Sequence, residues 1–229
     1  MKKTIFIISI IFLSAAAAFA QTARFDVALT PDSSGVIITG FTGNASAVTI
    51  PANLEGLPVK GIGKGAFSNK TGIRSVTVPR GVTIIESEAF LGSRALTSVT
   101  LPDTLKTIGD RAFASTGLTS IKLPDNCTEI GEGAFESCRT LKTVYLPADL
   151  AIIPIKMFLG CEVLNQIDFP ASIKSAGSKA FGDCRSLATV NVPASVQKID
   201  FADDAFAGCP KINLGGQVAL KKIGYSGAF

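Results

Sequence analysis

The chain has 229 residues, with 22 Lys and Arg against 18 Asp and Glu, a formal net charge of +4. That near balance carries no nucleic-acid signature. There is no His and no Trp, which excludes His-dependent nucleophile arrangements and the commonest zinc ligand, so most enzyme classes lose their usual proton carrier.

At the amino terminus Lys2 and Lys3 precede an apolar run, Ile5 to Leu13, and then small residues ending Ala18-Phe19-Ala20. Charged, apolar and A-x-A regions in that order read as a secretory signal, so residues 1–20 are expected to be removed before Gln21. Losing Lys2 and Lys3 leaves 20 basic residues against 18 acidic ones, a net charge of +2. The run is shorter than the roughly 20 apolar residues of a membrane span, and no other segment approaches that length. Gln21 is not Cys, which removes lipid attachment at a new amino-terminal Cys. The expectation is an exported protein, extracellular, at the cell surface or periplasmic, with no transmembrane span in the mature chain.

Residues 21–46 read as an amino-terminal cap segment and 47–229 as repeats. Phe67, Phe90, Phe113, Phe135, Phe158, Phe181, Phe206 and Phe229 stand 23, 23, 22, 23, 23, 25 and 23 residues apart, and seven prolines from Pro51 to Pro193 keep nearly the same step. A period in the twenties defines units too small to bury their own apolar faces, so a core exists only where neighbours stack. The units align as Ile73-x-x-Val76-x-Val78-Pro79, Leu96-x-x-Val99-x-Leu101-Pro102, and so on to Leu187-x-x-Val190-x-Val192-Pro193. The alternation predicts a short strand that Pro ends, because Pro cannot donate to a ladder. Nine residues after each Val or Ile comes a second apolar position, often followed by Gly, as in Ile108-Gly109 and Ile130-Gly131; five residues later stands the Phe. The stretch from Asp110 to Ala114 and its equivalents is expected to form one helical turn. Stacked at about 4.8 Å, seven coils span roughly 30 to 35 Å.

The recurring L-x-x-V-x-L-P and I-G-x-x-A-F-x-x-C resembles the BspA-type leucine-rich repeat of bacterial surface and secreted proteins, over about Ala47 to Phe229. Gly35 to Phe67, with Ile38-Thr39-Gly40-Phe41-Thr42-Gly43 and Leu57-Pro58-Val59, is similar to the opening of such domains. The resemblance implies a repeat solenoid: a right-handed leucine-rich-repeat coil, with a parallel β-sheet on the concave face and short helical turns or irregular segments on the convex face. It also implies binding of host matrix or plasma proteins. Three departures stand out: an extra pair of residues between Ile199 and Phe206, a last repeat that decays after Cys209, and an array that is incomplete at Phe229. No long polar helix is expected over that end, which leaves a carboxyl-terminal edge open to self-association.

Cys138, Cys161, Cys184 and Cys209 each follow a repeat Phe by three residues and form a column, expected as buried free thiols. One thiol per coil does not converge on a metal, and stacked Cβ vectors disfavour a disulfide. Cys127, in the turn after Pro124, is expected to be the more exposed thiol. Gly61-Ile62-Gly63-Lys64-Gly65 has the look of a phosphate loop but aligns with the repeat at Ile108-Gly109. The strands are about half the length a membrane barrel needs. Asp203-Asp204 and Glu86 with Glu88 read as solvated outer turns rather than acid and base pairs. No catalytic residue, metal site or cofactor is expected.

The outward strand positions form a row, Thr49, Thr77, Thr100, Lys122, Tyr145, Asp168 and Asn191, flanked by Ser75, Ser98, Ser120, Thr143, Gln166 and Thr189. Small hydroxyls fill the first coils, where Thr also suits any solvated sheet. Lys122, Tyr145, Asp168 and Asn191, with Thr143 and Gln166, are the candidate ligand-binding residues. The expected function is non-enzymatic protein binding, with glycan second, including adhesion to host matrix or cell-surface partners. The alternatives are an envelope structural or assembly protein associating through exposed solenoid ends and, more distantly, a hydrolase.

Overall fold

A computed structural model describes residues 8–11 and 24–229. The expected signal segment lies outside the described residues except for Ile8–Ile11, a strand antiparallel to Arg24–Leu29 with Ile8 opposite Val27. Arg24–Leu29 and Val36–Thr42 form an antiparallel hairpin, and Val36 to Ile38 then pair in parallel with Val59 to Ile62. The chain thereby passes from hairpin to coil.

Each coil contributes two short parallel strands. A front ladder is built from Ala47–Thr49, Ser75–Thr77, Ser98–Thr100, Ser120–Lys122, Thr143–Tyr145, Gln166–Asp168 and Thr189–Asn191. Their central residues, Val76, Ile121, Val144, Ile167 and Val190 among them, face the core, while the flanking residues point outward. A rear ladder carries Leu57–Ile62, Ile84–Ile85, Thr107–Ile108, Glu129–Ile130, Ile152–Ile153, Ser175–Ala176 and Asp200–Phe201, strands that fall at the second apolar position. The rear ladder breaks between Glu129–Ile130 and Ile152–Ile153. Elsewhere the N–H of the next residue crosses to the preceding coil, whether that residue is Gly, as in Gly109 to Ile85 O at 2.7 Å and Gly177 to Ile153 O at 2.9 Å, or not, as in Glu86 to Ile62 O at 2.8 Å. Pro154 stands there instead and has no N–H.

The expected helical turn around each Phe is absent. From Phe67 to Phe181 the residues two before and two after the Phe lie in the left-handed region: Arg111 (φ 52°) and Ser115 (φ 56°) around Phe113, Lys179 (φ 51°) and Asp183 (φ 55°) around Phe181. That alternation breaks a helix and turns the N–H groups toward the next coil. Arg111, Phe113 and Ser115 donate to Glu132 O, Ala134 O and Glu136 O at 2.9, 2.9 and 2.7 Å. The turns form a third hydrogen-bonded seam along the stack.

Inside, the Phe side chains form one aromatic column. From Phe41 to Phe206 adjacent rings are 5.0 to 5.7 Å apart and stacked within 23°. Phe25 extends the column at 5.3 Å, tilted by 53°. Phe41 and Phe25 were hidden from the 23-residue period because they sit on hairpin strands. Phe229 does not continue the stack: Tyr225 closes on Phe206 edge-on at 5.2 Å, and Phe229 packs at 6.4 Å, partly exposed.

The far end corrects two further expectations. Leu214–Lys222 is an α-helix that packs on the last front strand. The Asn213 side chain caps it by accepting the Gly216 N–H at 2.8 Å, and Lys221 and Lys222 complement its last turn. The end expected to be open for pairing is thus covered, and Ile223 O accepts the Ile199 N–H at 2.8 Å. The extra pair of residues also lies earlier than expected: Phe201 pairs with Ala176, so the insertion precedes Asp200–Phe201.

Candidate functional site

The front ladder displays the expected row. Thr49, Thr77, Thr100, Lys122, Tyr145, Asp168 and Asn191 are all exposed, Tyr145 by 58% although it is a large aromatic residue. Register brings Lys122 beside Tyr145 and Ser120 beside Thr143; further along, Asp168 meets Asn191 and Gln166 meets Thr189. The two pairs of coils belong to separate pieces of the ladder. The Asp168 carboxylate accepts from Gln166 Nε2 at 3.0 and 3.2 Å and from Asn191 Nδ2. Among the described residues neither Lys122 nor Asp168 is in an ion pair. The face therefore offers a cation, an aromatic body and a carboxylate held between two amides, in consecutive coils.

Sequence reasoning missed the groove beside Lys122, about 440 Å³ in volume and lined also by Thr100, Asp103, Pro124, Asp125 and Asn126. Asn126 Nδ2 donates to Asp103 O at 2.8 Å, and Arg80 reaches Asp103 at 3.0 Å. The signal was present in the two Pro-Asp pairs, Pro102-Asp103 and Pro124-Asp125, which place a carboxylate just past each strand.

The remaining candidates are structural. All five cysteines are free and buried, which corrects the expectation that Cys127 is exposed. Each column thiol donates to the Phe carbonyl of the preceding coil: Cys138 to Phe113 at 3.1 Å, Cys161 to Phe135 at 3.3 Å, Cys184 to Phe158 at 3.2 Å and Cys209 to Phe181 at 3.0 Å. Ser93 does the same to Phe67 O at 2.6 Å. Burial pushes the Cys127 thiol up to about 12, helped by the Glu129 charge, and Cys138 up to about 11 against the opposing Thr116 hydrogen bonds. Cys161 is raised by burial and Cys184 first by its hydrogen bond with Cys209.

The outer carboxylates are not merely solvated. Glu86 accepts the Lys64 N–H at 2.9 Å, Asp110 the Glu132 N–H at 2.9 Å, and Asp204 the Lys179 N–H at 3.2 Å, each across to a neighbouring coil. In the glycine-rich stretch the Gly63 N–H is committed to Ile38 O at 2.7 Å and the Lys64 N–H to Glu86, so no phosphate cradle is left there. Among the described residues no group of three or more His, Cys, Asp or Glu is placed to hold a metal, and no helix is long and apolar enough to cross a membrane.

Two parallel ladders, a Phe column and an outward polar row define a leucine-rich-repeat solenoid. The BspA type leucine rich repeat region model matches six copies, over residues 41–150 and 83–213, and the chain belongs to that family. It is similar to the leucine-rich repeat protein of T. pallidum, with 32% identity, TM-score 0.85, 90% of this chain and 95% of that one covered. A leucine-rich repeat protein from Bacteroides ovatus shares the fold at 24% identity and TM-score 0.56, covering 82% of this chain and 55% of that one. So does the pneumococcal vaccine antigen PcpA, at 22% identity and TM-score 0.61, covering 85% and 52%. No curated protein matches. The family is one of protein-binding scaffolds, generally without enzymatic activity.

Proposed function

We propose that the protein is an exported, non-enzymatic scaffold that binds another macromolecule, protein before glycan, through the front face. Lys122, Tyr145, Asp168 and Asn191 make the contacts, with Thr143 and Gln166 beside them. The observation that carries this reading is the exposed, in-register row, whose small hydroxyls give way to larger and chemically mixed groups in four consecutive coils. A solenoid presents such a row with little ordering cost on binding, and Tyr suits it with an apolar body and a polar tip. Export rests on the leader-like order of residues 1–20. Host matrix and plasma proteins are the first partners to try, given the family.

The test is binding of the protein to a panel of purified matrix proteins, plasma proteins and glycans, compared with a variant carrying Lys122, Tyr145, Asp168 and Asn191 each changed to Ser. These side chains point away from the core, where surface changes cost within about 0.5 kcal/mol each, so folding is expected to persist while binding is lost. Tyr145→Ser alone is expected to account for the largest share. Lys156→Ser on the turn seam is the control; Glu86 and Asp110 are unsuitable because they tie neighbouring coils together. A folded fourfold variant with undiminished affinity would refute the assignment to this face.

A further inference from the structure

One coil is a residue short. Five residues separate Phe90 from Leu96 and Phe135 from Leu141, whereas only Ala114, Ser115, Thr116 and Gly117 separate Phe113 from Leu118. In the full-length coils the Leu N–H closes the bend onto a carbonyl three residues back: Leu96 to Ser93 at 3.0 Å, Leu141 to Cys138 at 3.0 Å, Leu164 to Cys161 at 3.1 Å. In the short coil, among the described residues, the N–H groups of Gly117 and Leu118 have no backbone acceptor. Nor can a side chain fill the gap at Gly117, since a Cβ there would lie 2.2 Å from Arg94 O. The missing residue leaves a notch of about 370 Å³.

The lining of that notch is chemically one-sided. Arg94 comes from the coil before and Arg139 from the coil after, with Ser115, Gly117, Ser137 and Thr140 between them, and no carboxylate lines it. Arg94 is in no ion pair among the described residues, and Arg139 meets Glu162 at 3.3 Å in an exposed pair of the kind that contributes little. A second hollow shares Arg94 and Ser115 and runs on past Asn69 and Thr71, so the notch opens along the stack rather than ending in a closed cup. For a chain so nearly neutral, two guanidinium groups flanking hydroxyls and a free N–H form a local site for negative charge. Guanidinium forks match the oxygen geometry of phosphate and sulfate groups.

We propose that the short coil is an oxyanion-binding notch, taking a sulfate or phosphate group either as the free ion or as an ester on an extended polymer. Arg94 and Arg139 hold the group from either side, and the Ser115 and Ser137 hydroxyls and the Gly117 N–H donate to its remaining oxygens, while the Thr140 hydroxyl stays committed to Leu118 O at 3.1 Å. The site is separate from the front row, so the fourfold Ser variant of that face is expected to leave it intact.

The test measures binding of inorganic sulfate, inorganic phosphate, dextran sulfate, carboxymethyl dextran and unmodified dextran by calorimetry at low salt. Wild-type protein is expected to bind the sulfated or phosphate probes and neither of the other dextrans. Displacement of dextran sulfate by inorganic sulfate assigns the free ion; resistance to it assigns the polymer ester. Arg94→Ala is expected to weaken binding by about tenfold or more, the scale of a charge-assisted hydrogen bond. Arg185→Ala, at the same place in a full-length coil, leaves it unchanged. Glu162→Gln, which frees Arg139, tightens binding by about two- to threefold. Insertion of one alanine between Gly117 and Leu118 restores the 23-residue step, fills the notch and abolishes binding with the thermal transition retained. The proposal is overturned if Arg94→Ala and Arg185→Ala behave alike, if the folded insertion variant still binds, or if carboxymethyl dextran binds as well as dextran sulfate.

Discussion

A Phe carbonyl inside a stack of coils is a buried acceptor with few places to turn, and from Phe67 to Phe181 the residue three after the next Phe answers it in every coil but the short one, where Thr116 donates to Phe113 O of its own coil. The thiols of Cys138, Cys161, Cys184 and Cys209 and the hydroxyl of Ser93 each donate to the Phe carbonyl one coil back. That explains why a serine can stand in a cysteine column, and why the column is neither a metal site nor a disulfide set. Protonated thiols are what the arrangement needs, and burial holds Cys127 near 12 and Cys138 near 11, well above an ordinary thiol. In the unfolded chain these thiols ionise near 9, so above that pH the native state binds more protons than the unfolded one and stability falls as pH rises, through a window from about 9 to 12. Thermal melts are expected to be flat across this contribution below pH 9 and to decline above it, with a shallower decline in Cys127→Ala. At pH 8 native alkylation is expected to be slow at all five positions. The column was legible from its three-residue offset to Phe. Cys127 was misjudged because Pro124, Asp125 and Asn126 around it announce a polar turn; its own column, Val82, Leu105, Leu150, Ile173 and Val196, each three residues after a Pro, is uniformly apolar and buried.

Each coil joins two strand segments through a seam of turns, and the strands were the more legible parts. The front strand declares itself by alternation, and the rear one by the apolar residue nine positions on. The turn seam was misread as helical because Ala-Phe at short apolar spacing fits either structure; what decides is backbone handedness, to which Arg111, Lys156 and Lys179 give no sequence clue. A non-glycine residue in the left-handed region costs roughly 1 kcal/mol or more, and Gly65 and Gly133 already occupy the equivalent place in other coils. Lys156→Gly is therefore expected to raise the melting temperature slightly, its gain reduced by the extra freedom of glycine when unfolded. Gly131 is the opposite case. A Cβ there would lie 2.4 Å from Asp110 N, backbone against backbone at the rear ladder. Gly131→Ala is expected to lower stability by several kcal/mol, on the order of other overpacked core sites, and an unchanged denaturation midpoint would contradict so close an approach of the two coils.

At the scale of the whole molecule, the repeat period carried the architecture and the middle of the stack, while the ends escaped it because they obey different rules. Phe41 and Phe25 lie on a hairpin, and Leu214-Gly215-Gly216 reads only as part of the decayed last repeat, although Gly216 lets the helix start close to Ile212 and the last front strand. The outward row was legible from strand parity, but its ligand was not, because parity says which side chains are outside and nothing about what meets them. In a one-dimensional stack, stability is a sum of coil and nearest-neighbour terms, so the cost of removing a ring depends on how many neighbours it has. Phe135 has Phe113 at 5.5 Å and Phe158 at 5.7 Å and is fully buried. Phe135→Ala should then cost about 3 to 5 kcal/mol, the range for truncating a buried Phe. Phe229 touches only the end of the column, tilted by 44° on Phe206 and beside Tyr225. Its replacement by Ala removes a half-buried ring from a terminus that Tyr225 and the helix already close, so the expected loss is a small fraction of that at Phe135. Urea unfolding of the two variants decides it. Equal losses would contradict a column in which a central ring supports neighbours on both sides and the end ring on one.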